Sequence, residues 1–286
     1  MTTERPWRVD ARTAMPPAAA ERAPRPSARA ADGDGLWSLF GAWLRLRRTE
    51  RLLHAQGRSI RSTDPAAVRA AYAALSPTQF ADLNGPQRWL NARLLPRVLR
   101  RLPATRPWRL LDLGCGDGAS SQRLLELAPR GSSLLGVELS APLVAEARGR
   151  AYPDRAGRTA RAEVARQALL EPLRGSDGRA LPVQSVDVAH AAGLVGHHFT
   201  ERDLRHLAAE LRRVLARPDG FAILDAGPAL RADRLTQVLT EAGFRRVACH
   251  RVVPFAARAA LVFRLLEEHT LGALLSGPGA RREGAR

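Results

Sequence analysis

The chain of 286 residues contains no lysine, only two cysteines, two methionines and two tyrosines, and is 5% aromatic. With Cys115 and Cys249 as its whole thiol complement, a disulfide framework is not expected, and a reducing compartment such as the cytoplasm fits best. No apolar run approaches the roughly 20 residues that a bilayer-spanning helix needs. Metal-ligand spacings are missing, and so is a nucleophilic Ser or Cys elbow. What remains is a 45% hydrophobic chain, ample for one large domain or one domain with appendages.

All 45 basic residues are Arg, against 28 acids, giving a formal net charge of +17. Alongside heavy Ala, Leu and Pro usage, this reads as the codon bias of a GC-rich genome more than as a binding adaptation. The distribution is uneven. Residues 36–110 hold 14 Arg against three acids, a net +11, whereas residues 111–230 balance 15 against 15. The basic segment is suited to attract an acidic substrate, nucleic acid or an anionic surface. Solvated helix faces are the simpler reading, because Arg is also a strong helix former.

Four segments are expected. Residues 1–35, rich in Ala, Pro and Arg, read as a disordered tail, and their five acids argue against a transit peptide. A start-site artefact remains the other reading, with Met15 as the true start. Residues 36–105 read as a helical cap. There Leu36, Leu39, Trp43, Leu46 and Leu53 form an apolar stripe, and Asp64-Pro65 and Ser76-Pro77 each pair a capping residue with a first-turn proline. Leu90 to Leu102 mark a longer helix containing Pro96. A membrane-surface helix would resemble the first stripe, but a helix packed on its own domain is preferred. Residues 106–268 alternate strand and helix and close with a pair of strands, as a doubly wound α/β sheet would. Residues 269–286 read as a flexible tail. Tyr72, on the cap, is expected to pack rather than to act in the cleft, and His190 to be a satisfied core residue.

The densest signal is Leu110-Leu111-Asp112-Leu113-Gly114-Cys115-Gly116-Asp117-Gly118, an apolar strand ending on a carboxylate and running into three alternate glycines. Glycine permits positive φ and lets a ligand touch the main chain, and the helix start beyond offers unpaired N–H groups. Glu138 follows a second apolar run, where an acid is placed to hold ribose hydroxyls. The same glycines fit a relaxed dinucleotide fingerprint, and singly they could merely punctuate an αβ turn. Asp112 argues against a pyrophosphate, and would welcome a cationic ligand. So do the third glycine, at spacing two, and the mid-chain position.

These residues resemble the first motif and ribose-binding acid of the class I S-adenosylmethionine-dependent methyltransferases of the small-molecule type. Leu181–Ala191, the turn Val195-Gly196-His197-His198-Phe199 and Leu215-Ala216-Arg217-Pro218-Asp219-Gly220-Phe221 resemble later landmarks of that family, in order. The resemblance implies a Rossmann-like, mostly parallel seven-stranded sheet with an antiparallel last strand, and S-adenosyl-L-methionine as cofactor. It implies cofactor contacts at Asp112, Gly114, Cys115, Gly116, Gly118 and Glu138, and also at Leu139, Gln167, Ala168 and Ala191. Gln167 stands where the family often has an acid for the adenine amine.

On the acceptor side, His197 and His198 are the candidates for catalysis, since they follow the fourth strand and His titrates near neutrality. A structural His-His turn is the other reading. The expected partner is a small-molecule acceptor, with its O, N or C nucleophile open. An RNA or protein methyltransferase docking through the Arg-rich cap is an alternative, as is an S-adenosylmethionine-binding protein without catalysis.

Overall fold

The computed structural model describes residues 36–60, 62–251 and 259–266. The expected tails, 1–35 and 269–286, lie outside the described residues. So does Val252, at the end of one expected strand.

Three helices come first: α1 (Leu36–Ala55), α2 (Pro65–Ala73) and α3 (Pro77–Leu99). Each expected start is built as the sequence implies. The Asp64 carboxylate accepts the Ala66 N–H, and Ser76 and Gln79 cap α3 reciprocally. Helix α3 continues through Pro86 and Pro96, each of which lacks the N–H for one helical hydrogen bond.

The buried face of α1 keeps only part of the expected stripe. Leu39 and Leu53 are buried and Leu46 packs beside Leu53, but Leu36 and Trp43 are exposed while Ala42 and Thr49 are buried. One reason is steric. A Cβ placed on Gly85 of α3 would lie 3.1 Å from the Ala42 Cβ, so the two backbones meet at their smallest residues. Size, more than hydrophobicity, decides that crossing.

The remaining elements are β1 (Arg109–Leu113), α4 (Ala119–Leu127), β2 (Ser133–Glu138), α5 (Ala141–Gly149), β3 (Arg161–Arg166) and β4 (Val188–Ala191). Then come α6 (Val195–His198), α7 (Glu201–Val214), β5 (Phe221–Ala226), α8 (Ala232–Glu241), β6 (Phe244–Arg251) and β7 (Ala259–Leu265). The sheet has seven strands in the order β3-β2-β1-β4-β5-β7-β6. Strands β1 to β5 pair in parallel, and β7 runs antiparallel to both β5 and β6. This is the doubly wound sheet the sequence implies. No helix among the described residues is long and apolar enough to cross a membrane.

Strand alternation sends side chains into two cores. Leu111, Leu135 and Leu224 join Leu204, Leu207 and Leu211 of α7 on one face. Leu110, Leu134 and Ile223 join Leu124 and Leu125 of α4 on the other, together with Leu95, Val98 and Leu99 of α3. The second half of α3 therefore covers the sheet itself, across the boundary expected at residue 105, while its first half roofs the site. The chain order reverses between β1 and β4, and such a switch point opens a crevice at the strands' carboxyl ends.

Just before β4, the Asp187 carboxylate enters an ion-pair cluster. Its Oδ2 accepts the Arg109 main-chain N–H at 2.7 Å, and its Oδ1 accepts from Arg106 at 2.6 Å and Arg109 at 2.9 Å. Burial pushes this carboxyl's pKa up, but the Arg109 and Arg106 bonds outweigh it and hold the value below the ordinary one. A carboxylate with a depressed folded pKa stabilises fully above the ordinary carboxylate range, and that contribution is lost as pH falls through the folded value. Asp187→Asn is accordingly expected to cost about 3 kcal/mol in urea unfolding at neutral pH. The gap from the parent chain should shrink below about pH 4.

Candidate active site

A cavity of about 160 Å³ lies at the carboxyl ends of β1, β2 and β4, roofed by Tyr72 of α2 and by Phe80, Asn84, Gln87 and Asn91 of α3. Its floor is the glycine turn. Gly114 N–H and Cys115 N–H both donate to the Val137 carbonyl, at 2.8 and 3.1 Å, which folds the turn back against β2. Gly116 has φ +56°, and a Cβ there would strike the Phe80 ring at 2.4 Å. Gly118 (φ +82°) caps α4, and a Cβ there would meet the Tyr152 hydroxyl at 2.2 Å. Only glycine meets both the backbone and the space at these two positions.

Glu138 closes the end of β2. Its Oε2 accepts the Gly116 N–H at 3.0 Å, and its Oε1 accepts the Leu139 and Ser140 N–H groups, each at 2.8 Å. Burial pushes the Glu138 pKa up; the three N–H bonds pull it back, and the nearby Asp112 charge adds to the rise. The Cys115 thiol is pushed up by the same burial and by the surrounding carboxylates, so it stays protonated and unreactive.

Of the expected cofactor contacts, Gly114, Cys115, Gly116, Glu138, Leu139, Gln167 and Ala168 line the cavity together. Asp112, Gly118 and Ala191 do not. Asp112 is 1% exposed and sits behind the turn, where Ser120 and Ser121 hydroxyls donate to Oδ2 at 2.7 and 2.6 Å. His190 stands 2.8 Å from its Oδ1, so this histidine is a satisfied core residue as expected. The carboxylate reaches the cavity only through Ser120, which does line it. Gln167 pins its own loop: its amide donates to the Pro172 carbonyl at 2.7 Å, and its oxygen accepts the Arg174 N–H at 2.9 Å.

The paired histidines separate. His198 lines the cavity, whereas His197 turns toward Asp225, its Nε2 3.9 Å from Oδ2. The Ser62 carbonyl, 3.2 Å from His198 Nδ1, can only accept, so Nδ1 carries the proton and Nε2 offers a lone pair. That lone pair receives the Tyr72 hydroxyl at 3.2 Å. Tyr72 thus lines the cavity as well as packing, as expected, against Phe80 and its neighbours. Burial lowers the His198 pKa, only partly offset by the Ser62 bond and the Asp225 charge, and burial also raises the Tyr72 pKa well above its ordinary value.

Sequence reasoning missed the polar roof. Asn84, Gln87 and Asn91 recur at helical spacing within an otherwise apolar face, and an amide row on a buried face was the available signal. The cap is also latched to the turn: Asp117, inside the glycine run, pairs with Arg88 of α3 and with Arg150. Among the described residues, no group of three or more His, Cys, Asp or Glu side chains is placed to hold a metal ion.

Comparison with known proteins agrees with this geometry. A family model described as a methyltransferase domain matches residues 110–220. The chain is 42% identical over 66 residues to a trans-aconitate 2-methyltransferase of Acidovorax ebreus (strain TPSY), over 22% of this chain and 25% of that protein. It thus spans about a quarter of the length of that curated relative. In structure it is similar to the CurJ carbon methyltransferase, with a TM-score of 0.57 at 17% identity, covering 81% of this chain and 69% of that one. It is also similar to the magnesium protoporphyrin IX methyltransferase of Synechocystis PCC 6803, crystallised with bound SAM. There the TM-score is 0.52 at 17% identity, over 70% of this chain and 96% of that one. Residues 110–220 thus match a methyltransferase domain, and the fold around them is the one found in these S-adenosylmethionine-dependent methyltransferases.

Proposed function

We propose that this protein transfers a methyl group from S-adenosylmethionine to a small-molecule acceptor held under the α2–α3 roof. The observation that carries the reading is the convergence of the glycine turn, the Glu138 carboxylate and an apolar, amide-bearing roof on one cavity. When bound, S-adenosylmethionine would supply a methyl carbon already activated for displacement by its sulfonium, with the thioether as leaving group. The protein's own task is chiefly positioning.

The residues fit that cofactor. Three main-chain N–H groups fix the Glu138 carboxylate and leave one acceptor site, on Oε2, for a ribose hydroxyl. Leu139, Gln167 and Ala168 form the wall suited to an adenine edge. Ser120, backed by Asp112, is the group suited to the ammonium end, so Asp112 acts through that hydroxyl. Neutral His198, its lone pair directed at Tyr72, is placed to receive the proton that an O–H or N–H acceptor releases, with the Tyr72 hydroxyl as the relay. His197, off the cavity wall, has no such part. Among the described residues lining the cavity none is Arg, which favours a small acceptor over a phosphate-bearing polymer in the cavity itself.

Calorimetry should show the purified chain binding S-adenosylmethionine or S-adenosylhomocysteine, and absence of binding to either would end this reading. Glu138→Gln should weaken S-adenosylhomocysteine binding about tenfold or more, because charged hydrogen bonds contribute about 1.5–3 kcal/mol. Turnover against a metabolite panel should fall on the acid side only below the ordinary His range, since a lowered His198 pKa keeps the base neutral to a lower pH. In His198→Gln that limb should vanish while kcat drops about 100-fold or more.

A further inference from the structure

At the carboxyl end of β5, Asp225 is 8% exposed and carries a buried oxygen that no described group satisfies. Its Oδ2 accepts the Gly193 N–H at 2.8 Å, but Oδ1 has no hydrogen-bond partner among the described residues. A buried acceptor left in this state is unfavourable unless something arrives to donate to it.

Asp225 forms part of the wall of a narrow slot of about 20 Å³ between α3 and strands β4, β5 and β7. The slot shares Gln87, Asn91 and Ala192 with the main cavity, so the two are neighbours behind one partition. Gly193, which holds the other carboxylate oxygen, lines the main cavity directly.

The charge of this region is one-sided. Glu138 and Asp203 border the cavity and Asp225 the slot, while no Arg stands among the described lining residues of either. An anionic acceptor would meet no described Arg there and would face the Asp225 carboxylate, whose Oδ2 has His197 Nε2 3.9 Å away. Around these polar points the walls are apolar, with Val68, Leu169, Leu170, Leu194 and Phe199 on the cavity side.

We propose that Asp225 Oδ1 anchors an O–H or N–H group of the acceptor, so that the acceptor is a neutral or cationic molecule with an apolar body and not a carboxylate. The word acceptor here rests on the methyltransferase reading. The selection of head group does not.

Three probes with one body separate the cases: 3-phenylpropan-1-ol, 3-phenylpropylamine and 3-phenylpropanoate. Calorimetry on the full chain, with and without S-adenosylhomocysteine, should show the alcohol and the amine binding about tenfold or more tighter than the carboxylate. Asp225→Asn, which keeps an oxygen for the Gly193 N–H but turns a donor toward the slot, should bring the three within about threefold. Its affinity for S-adenosylhomocysteine should stay within about twofold. A carboxylate that binds as well as the alcohol, a preference unchanged in Asp225→Asn, or no binding of any probe would each overturn the proposal. The parent chain's preference stands as a test even if the variant failed to fold. Failure of S-adenosylhomocysteine to bind, with the probe order intact, would strike the methyltransferase reading alone.

Discussion

A buried carboxylate with no ion-pair partner among the described residues is held at the end of β2 by three main-chain N–H groups, and the whole site is arranged around it. Glu138 gathers the N–H of Gly116 from one turn and those of Leu139 and Ser140 from the next. One side chain thus sets the distance between the first two β–α connections. The cost of burying it appears in its raised pKa, and main-chain dipoles rather than an ion pair offset that cost. An Arg in that place would satisfy the charge and fill the crevice. Main-chain groups satisfy it and leave the crevice open.

A second buried carboxylate shows the same economy turned inward. Asp112 spends its oxygens on Ser120, Ser121 and His190, joining β1 to α4 and β4. Asp187 does so with Arg109 and Arg106 at the opposite ends of β1 and β4. Strand β1, inside the sheet between β2 and β4, is therefore fastened at both ends by polar clusters, while Leu110, Leu111 and Leu113 fill the cores between them. The polar fastenings fix register; the apolar residues supply most of the burial.

Much of this was legible in the sequence, and what was not has physical causes. Strand–glycine–helix order and the Asp64 and Ser76 caps are local signals, and local chemistry decides them. The sheet's reversed strand follows from the closing strand pair. Leu39, Leu46 and Leu53 of the α1 stripe face inward as read, but the burial of Ala42 was not legible, because side-chain size at a helix crossing, Ala42 against Gly85, is a property of two segments at once. Asp112 looked like a ligand contact because its spacing from the glycines is right. Its hydroxyl partners lie eight and nine residues on, and its histidine partner lies on another strand. Tyr72 and His198 are 126 residues apart, and their contact is visible only once the cap folds over the sheet.

The Phe80 ring rests where any side chain on Gly116 would have to be. Floor and ceiling therefore form a single steric unit, divided between a turn and a helix far apart along the chain. Neither position can enlarge unless the other shrinks, so the vertical clearance above the turn is fixed jointly by two residues that no local rule connects.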